Sequence, residues 1–229
     1  MKTAAIAVLV ALGLAAPAMA DDGFRVAFGA ANANPNDDSS YLNNVEAAAG
    51  LAANSTKVTV EDNTQLGITL NYDFHPNWSL ELLAATPFSH DIKVKGGAVD
   101  GLKVGKTKHL PPTLSVQYRF NPGQDFRPYV GLGLNYTTFF DEKVDGELAG
   151  TLDALGLTGS KELELDDSFG LAAQVGFDWN INDKVYVRGA IWYADIDTDA
   201  KVKVNGATVQ KVSVDIDPTI YMLGLGYRF

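Results

Sequence analysis

Strict alternation of apolar with small or polar residues recurs through this chain and limits it to strands that have a different environment on each face. In the first such segment, Phe24, Val26 and Phe28 alternate with arginine, alanine and glycine. The segments cover residues 24–29, 65–74, 78–85, 113–120, 130–137, 169–179, 185–193 and 220–229. The pattern predicts an all-β fold of eight antiparallel strands.

The connections between these strands alternate in length. Those at 75–77, 121–125 and 180–183 are short and rich in turn-forming residues, whereas those at 35–63, 91–109, 141–167 and 198–212 are long. Short helices are expected inside two of the long loops, at 45–53 and 147–156. Short turns on one rim and long loops on the other are typical of an up-and-down transmembrane β-barrel of the outer membrane.

Aromatic residues lie near the strand ends, as in the two girdles of such barrels. The short-turn side carries Phe24, Phe74, Trp78, Phe120, Trp179, Tyr227 and Phe229, and the other side carries Phe88, Tyr136, Phe140, Phe169, Tyr193 and Tyr221. A soluble eight-stranded barrel such as a lipocalin gives the same alternation, so the parity of residue positions does not by itself show which set of residues faces outward. The girdles and the unequal rims favour a barrel whose apolar face contacts outer-membrane lipids.

The first 20 residues have the pattern of a secretory signal peptide. Lys2 supplies the positive charge, residues 4–16 are apolar, and Ala18 and Ala20 fit the Ala-x-Ala cleavage pattern. A retained membrane anchor is the alternative. We therefore expect residues 1–20 to be a signal peptide and residues 21–229 to be one barrel, in the outer membrane of a Gram-negative bacterium.

Four stretches resemble the OmpW family of outer-membrane proteins: 82–88 (LLAATPF), 128–136 (PYVGLGLNY), 192–198 (WYADIDT) and the ending 226–229 (GYRF). The resemblance implies an eight-stranded barrel with a narrow apolar lumen and a role in the uptake of small hydrophobic molecules. Family members are also known as colicin receptors, which suggests the loops as an alternative binding surface. The alternating aromatics before the terminal Phe229 resemble the signal that the barrel-assembly machinery reads.

Parity directs a set of charged side chains into the barrel near the short-turn rim. Because a buried charge without a partner is very costly, we expect them to pair and close that end as a plug. The set is Arg25, Asp73, Glu81, Arg119, Arg127, Asp178, Arg188 and Arg228. A charged, ion-selective filter is the alternative.

Above this layer the inward residues become small and apolar, which favours an apolar ligand over water. Leu83 and Trp192 are the bulky members and are candidates for a constriction, although plain lumen packing explains them equally well. Apolar lumen candidates also include Ala85, Ala190, Ile220 and Met222.

Prolines interrupt two neighbouring strands. Pro87 interrupts the third strand near its outer half, and Pro111 and Pro112 lie near the start of the fourth. Since proline removes a ladder donor, Pro87 is a candidate for a lateral exit into lipid; the alternative is that these prolines merely end the strands.

Other chemistry has little support. The chain lacks cysteine, and its net charge of -10 argues against nucleic acid as a partner. His90 and His109 flank one loop, but two ligands are few for a metal, and Ser89-His90-Asp91 is only a sequence neighbourhood. We expect no enzyme, metal or cofactor. The interpretation is a narrow channel for small hydrophobic solutes, with a surface-interaction barrel that does not transport as the alternative. The oligomeric state has no signal in the sequence.

Overall fold

The computed structural model describes residues 23–229, so the predicted signal peptide, residues 1–20, and its cleavage before Asp21 lie outside the described residues. The described part is mostly strand. In chain order its elements are β1 (Phe24–Asn34), β2 (Asp38–Ser39), α1 (Asn43–Ala49), β3 (Lys57–Val60), β4 (Asn63–His75), β5 (Trp78–Ala85), β6 (Phe88–Lys95), a 3-10 turn (Gly97–Val99), β7 (Lys103–Leu110), β8 (Thr113–Arg119), β9 (Phe126–Val144), α2 (Gly146–Ala154), β10 (Lys161–Leu165), β11 (Ser168–Asn180), β12 (Val185–Ala194), β13 (Asp197–Val204), β14 (Ala207–Asp215) and β15 (Thr219–Arg228).

Eight strands within residues 23–229 close an antiparallel barrel, which confirms the predicted fold class. Their order is β1-β4-β5-β8-β9-β11-β12-β15, and β15 returns to pair with β1. Arg25 lies opposite Arg228 in the β1–β15 pair, so β1 begins and β15 ends at the short-turn rim. None of the helices in the described range is long and apolar enough to cross a membrane.

The outer face of the barrel is a continuous apolar belt. Leu132 is 73% exposed and Leu223 is 65% exposed, and both lie midway along their strands. The arginines that alternate with the belt, Arg25 and Arg119, are buried inside. An apolar surface of this extent is unfavourable in water, and the interior is charged, so the soluble-barrel alternative is rejected.

Two aromatic girdles border the belt. The short-turn girdle exposes Phe74, Trp78, Phe120, Trp179 and Tyr227, and the opposite girdle exposes Tyr136, Phe169, Tyr193 and Tyr221. Phe88 is a correction to the expected set, because it is only 1% exposed and points into the barrel. The physical reason is that the chain bends at Thr86, just before Pro87, so Phe88 does not follow the alternation of β5.

The long connections are themselves built from strands, contrary to the expectation of loops. β6 and β7 form a hairpin that joins β3 on one side and the outer end of β9 on the other. β10, β13, β14 and β2 form a second sheet in that order. These elements, here called the outer strands, extend beyond the aromatic girdle of the long-connection side. The two short helices expected inside the loops are present as α1 and α2.

Apolar side chains from the two outer sheets pack against each other and make a core of their own. It includes Val58, Ile92, Val104, Leu163 and Val212, and both helices add to it through Val45, Leu148 and Leu152. The outer strands therefore form an ordered extension of the barrel, which places a second apolar interior above the first.

Candidate functional site: the interior of the barrel and of its outer strands

The inward charges near the short-turn rim form a connected ion-pair network. Arg25 contacts Asp73 at 2.9 Å and Asp178 at 2.5 Å, and Arg119 contacts Asp73 at 2.9 Å. Arg188 contacts Glu81 at 2.6 Å and Asp178 at 2.7 Å. The members of this network, here called the charged layer, are Arg25, Asp73, Glu81, Arg119, Asp178 and Arg188.

Two residues of the expected charged set lie outside this network. The guanidinium of Arg127 donates to the carbonyl of Gln124, and that of Arg228 donates to the side chain of Asn180 and the carbonyl of Asp183. Both side chains are half-buried at the short-turn rim. Because they lie at strand ends, they reach carbonyls of the turns. They therefore lie nearer the rim than the alternation predicts.

Two inward tyrosines complete the charged layer. The ring centres of Tyr129 and Tyr186 lie 5.3 and 5.7 Å from the Arg188 guanidinium carbon, and Tyr186 lies 5.5 Å from that of Arg25. Such stacking stabilises a buried cation. Neither tyrosine was predicted from the sequence, although Tyr186 is two residues from Arg188 and so lies on the same face of the strand.

An inward glycine makes room for one of these rings. A Cβ at Gly226 would lie 2.0 Å from the Tyr186 ring, so no larger residue fits there without moving it. The space left by this inward glycine is therefore filled by an aromatic ring.

Buried polar side chains surround the charged layer. Arg188 also donates to Thr69 and Asn71, each at 2.7 Å. The Gln117 oxygen accepts from Asn71 at 3.1 Å and from Ser79 at 3.0 Å. These contacts satisfy the polar side chains beside the ion pairs, so residues from several strands hydrogen-bond to one another at this depth of the interior.

The apolar lumen candidates lie together directly above. Leu83, Ala85, Ala190, Trp192, Ile220 and Met222 belong to one buried cluster, which Phe88 and Tyr129 join. The Trp192 indole N–H donates to Glu81 at 3.3 Å, which ties this apolar lumen cluster to the charged layer. The free space here is a cavity of about 10 Å³ beside Leu83, Phe88 and Pro111, so side chains fill the lumen at this depth.

One wall of this region is polar, which corrects the expectation of a uniformly apolar lumen. Thr113, Ser115, Asn135 and Thr137 face inward from β8 and β9 and are buried. Asn135 donates to Thr113 at 2.9 Å and accepts from Thr137 at 2.8 Å. Because these groups hydrogen-bond to one another, the wall presents methyl and methylene groups together with few free polar atoms.

A larger apolar cavity of about 80 Å³ lies among the outer strands and is here called the outer cavity. Most of its lining consists of aliphatic side chains from the two sheets and two helices, with Phe139 among them. Phe88, at the outer end of the apolar lumen cluster, packs edge-to-face against His109 with ring centres 5.4 Å apart, and His109 lines the outer cavity. The two apolar interiors are therefore adjacent along the barrel axis.

The strand ladder has a gap beside the apolar lumen cluster. β5 pairs with β8 as far as Leu83 opposite Thr113, and pairing resumes in the hairpin above with Phe88 opposite His109. No ladder pair joins residues 84–87 to residues 110–112 in the described structure. Pro87, Pro111 and Pro112 all lie within the gap, and none of them has an N–H to donate.

His90 and His109, which flank a loop in the sequence, meet on the inner face of the β6–β7 hairpin. Their Nε2 atoms are 3.2 Å apart, and both rings are buried. They lie beyond the outer aromatic girdle, where burial lowers the pKa of His90 and lowers the pKa of His109 well below its ordinary value, with a further contribution from His90. Ser89 and Asp91 point to the opposite face of β6, so Ser89-His90-Asp91 has no triad geometry.

Three carboxylates at the outer rim also lie close together. Asp195, Asp197 and Asp217 have oxygens within 4.8 Å of one another. Asp217 already accepts from the Tyr193 hydroxyl at 2.9 Å and from the Ile196 backbone N–H at 3.1 Å. These bonds explain the cluster as part of a turn, and we assign no metal to it.

Comparison with known proteins agrees with this architecture. The sequence model of the OmpW family matches residues 21–229. Outer membrane protein W of Vibrio cholerae is 47% identical, over 98% of this chain and 97% of that protein, and Outer membrane protein W of Escherichia coli is 43% identical, over 80% and 82%. The crystal structure of the outer membrane protein OprG from Pseudomonas aeruginosa aligns with a TM-score of 0.77 and 41% identity, covering 91% of this chain and 96% of that one.

Proposed function

Since this chain belongs to the OmpW family and forms an outer-membrane β-barrel of a Gram-negative bacterium, we propose that it admits small hydrophobic molecules from the cell surface. The observation that carries the proposal is the outer cavity, whose lining is apolar and which adjoins the apolar lumen cluster. The named relatives are outer-membrane barrel proteins, and the proposal assigns no enzymatic activity to the chain.

The outer cavity supplies the driving force for entry. An apolar solute gains about 25 cal/mol for each Å² of its surface that leaves water. Long connections of outer-membrane barrels face the cell exterior, so the outer cavity lies on the side from which a solute arrives. A polar solute gains nothing there, because the aliphatic lining offers few hydrogen-bonding partners.

The charged layer is proposed to act as the plug. Arg25, Arg119 and Arg188 all direct their guanidinium groups at carboxylates within 3 Å, so their charges are compensated inside the layer. An ion filter needs charge that faces a water-filled path, and eight strands leave little width for one. The paired geometry therefore supports closure over ion selectivity, and Arg127 and Arg228 add positive charge at its rim.

The ladder gap is the proposed exit. A solute in the apolar lumen cluster meets the charged layer below and lipid to the side, and only the lipid is favourable for it. Pro87 on one edge and Pro111 and Pro112 on the other keep the two edges from pairing.

Replacing Pro111 and Pro112 together with alanine restores two backbone N–H donors and is expected to slow the uptake of the hydrophobic dye described next.

Charged substitutions in the apolar lumen cluster test the proposal. Leu83→Asp and Trp192→Asp each bring water to a site whose attraction is its dryness, so uptake of a small hydrophobic dye should fall several-fold. Thr158→Asp, at an exposed position in an outer connection, is the matched control and should leave uptake unchanged. Folded barrel is verified by heat-modifiable gel migration. Equal uptake by wild type and both lumen variants contradicts the proposal.

A second function is favoured by one observation. Side chains fill the lumen around Leu83 and Trp192, which suits a stable barrel that presents its outer strands to a partner, in the manner of a colicin or phage receptor. Equal dye uptake by all the variants, together with normal folding, selects this surface-interaction role over transport.

A further inference from the structure

The histidine pair of the outer cavity has a hydrogen-bond direction that its surroundings fix. The His90 Nδ1 lies 2.5 Å from the carbonyl oxygen of Glu61. A carbonyl only accepts, so this nitrogen carries the proton, and in a neutral ring the His90 Nε2 then has a free lone pair.

The tautomer of the second ring follows from that of the first. His90 Nε2 accepts, so the His109 Nε2, 3.2 Å away, is the donor. In a neutral imidazole the remaining nitrogen is then unprotonated, which makes the His109 Nδ1 an acceptor. That atom is buried and has no hydrogen-bond partner. Burial keeps both rings neutral, as the lowered pKa values of His90 and His109 indicate.

The other polar side chains that line the outer cavity are already engaged. Gln210 accepts from the backbone N–H groups of Asn44 and Val45 and donates to the carbonyl of Lys211. The hydroxyl groups of Thr107, Thr151 and Thr198 each donate to a backbone carbonyl. Among the described lining residues, the His109 Nδ1 is thus the side-chain nitrogen or oxygen that has no hydrogen-bond partner, and its surroundings are mainly aliphatic.

We propose that the outer cavity selects small amphipathic molecules that carry one hydroxyl group, such as short alcohols or phenols, and that the His109 Nδ1 accepts the hydrogen bond from that hydroxyl. The inference rests on the proposed function and names its substrate class. A buried acceptor without a partner is unfavourable, and a ligand hydroxyl removes that cost, whereas a hydrocarbon of the same shape leaves it in place.

The size of the cavity limits the ligand. A dry cavity of about 150 Å³ holds one benzene ring in other proteins. The outer cavity measures about 80 Å³, so a single ring enters with a small expansion and fused rings do not. Phenol and toluene are therefore suitable probes, because they share one shape and differ by a hydroxyl in place of a methyl group.

The test compares the binding of phenol and toluene to the barrel in lipid nanodiscs, with protein-free nanodiscs to subtract partition into lipid. Wild type should bind phenol about fivefold more tightly than toluene after this correction. Loss of His109 alone would expose the His90 Nε2 lone pair. The double variant His90→Phe with His109→Phe keeps two aromatic rings but lacks both acceptors, so it should bind both probes equally. His75→Phe, at the exposed end of β4, is the matched control and should keep the wild-type preference.

Direct observation of the ring does not depend on a variant. In wild type with ¹⁵N-labelled histidine, phenol should move the unprotonated Nδ1 resonance of His109, and toluene should leave it in place. No shift with phenol, or a phenol preference that persists in the double variant His90→Phe with His109→Phe, overturns the assignment of His109 while toluene binding keeps the proposed function intact. If toluene and phenol both fail to bind saturably, the outer cavity takes no ligand, and the inference and the proposed entry route both fail.

Discussion

Arg188 is the residue that joins the most parts of the barrel interior. Its guanidinium contacts Glu81 and Asp178, donates to Thr69 and Asn71, and is 0% exposed. Buried ion pairs gain little over a well-packed apolar core, but removing one partner leaves the other charge without compensation. The charged layer is therefore sensitive to the loss of either sign of charge and more tolerant of losing both.

Replacing Arg188 by methionine should destabilise the barrel by about 3–5 kcal/mol, because Glu81 loses its counter-charge and Asp178 loses one of its two. Urea unfolding in phospholipid vesicles measures the change. A second variant with Glu81→Gln added to Arg188→Met should recover part of the loss, since one orphaned charge is then removed. The control is Lys95→Met at an exposed position of β6. An unfolding midpoint that stays at the wild-type value in Arg188→Met contradicts the described role.

Parity of the alternating segments predicts the side of the wall for most single residues. Arg25, Arg119 and Trp192 face inward as that parity requires. Parity does not predict which inward residues touch, because contact across the lumen depends on strand order and shear. The stacking of Tyr129 on Arg188 and the bond from Trp192 to Glu81 are of this kind.

At the scale of elements, the outer strands differ from the barrel strands in what faces outward. In β6, Phe88, His90, Ile92 and Val94 alternate with serine, aspartate and lysines, so the period of two is present. The charged face of β6 contacts water, whereas the outward face of the barrel strands contacts lipid. In the sequence, these charges make β6 resemble a polar loop. The alternation of apolar with charged residues is therefore enough to predict β6 as a strand. The contact between His90 and His109 cannot be predicted from it, because that contact depends on the register of the β6–β7 hairpin.

The connection after α1 is held by one carboxylate. Glu46 accepts from the backbone N–H groups of Asn54, Ser55 and Thr56 at 2.8–3.0 Å and from the Thr56 hydroxyl at 2.7 Å. Burial raises the pKa of the Glu46 carboxyl, but these hydrogen bonds outweigh burial and lower the pKa below its ordinary value. A lowered folded pKa means that the stabilisation is present above the unfolded pKa and is lost as the pH falls through the folded one.

Hydrogen exchange at the amides of Asn54, Ser55 and Thr56 reports this anchor. Protection relative to unstructured peptide rates should be high at neutral pH, and it should decrease as acidification protonates Glu46. Glu46→Gln should lose protection at neutral pH and lose its dependence on pH, because an uncharged amide oxygen accepts more weakly. Glu162→Gln, at an exposed position of β10, serves as control. Equal protection in wild type and Glu46→Gln would refute the anchor.

The last strand carries the proposed assembly signal. Tyr227 faces lipid, and its ring lies 5.3 Å from that of Phe229. We expect deletion of Phe229 to lower the amount of folded barrel in the outer membrane, since the barrel-assembly machinery is proposed to read this aromatic end. Tyr221→Ala on the same strand, at the opposite rim, should assemble normally. Unchanged heat-modifiable migration of the deletion variant argues against the signal.

On the scale of the whole molecule, the interior is layered along the barrel axis. The charged layer comes first, the apolar lumen cluster follows with the ladder gap at its side, and the outer cavity lies above them. The order was predictable from the sequence as far as the apolar lumen cluster. The outer cavity was not, because it is enclosed by two sheets and two helices whose residues are far apart along the chain.

This layering separates two kinds of permeation, and one measurement distinguishes them. Proteoliposomes of the wild-type barrel are assayed together for transfer of a small apolar fluorophore into lipid and for K⁺ flux. The layered interior predicts that the protein accelerates fluorophore transfer well above protein-free vesicles while K⁺ flux stays at background. Fluorophore transfer equal to protein-free vesicles, or K⁺ flux that rises with the amount of barrel, would contradict an apolar passage closed by the charged layer.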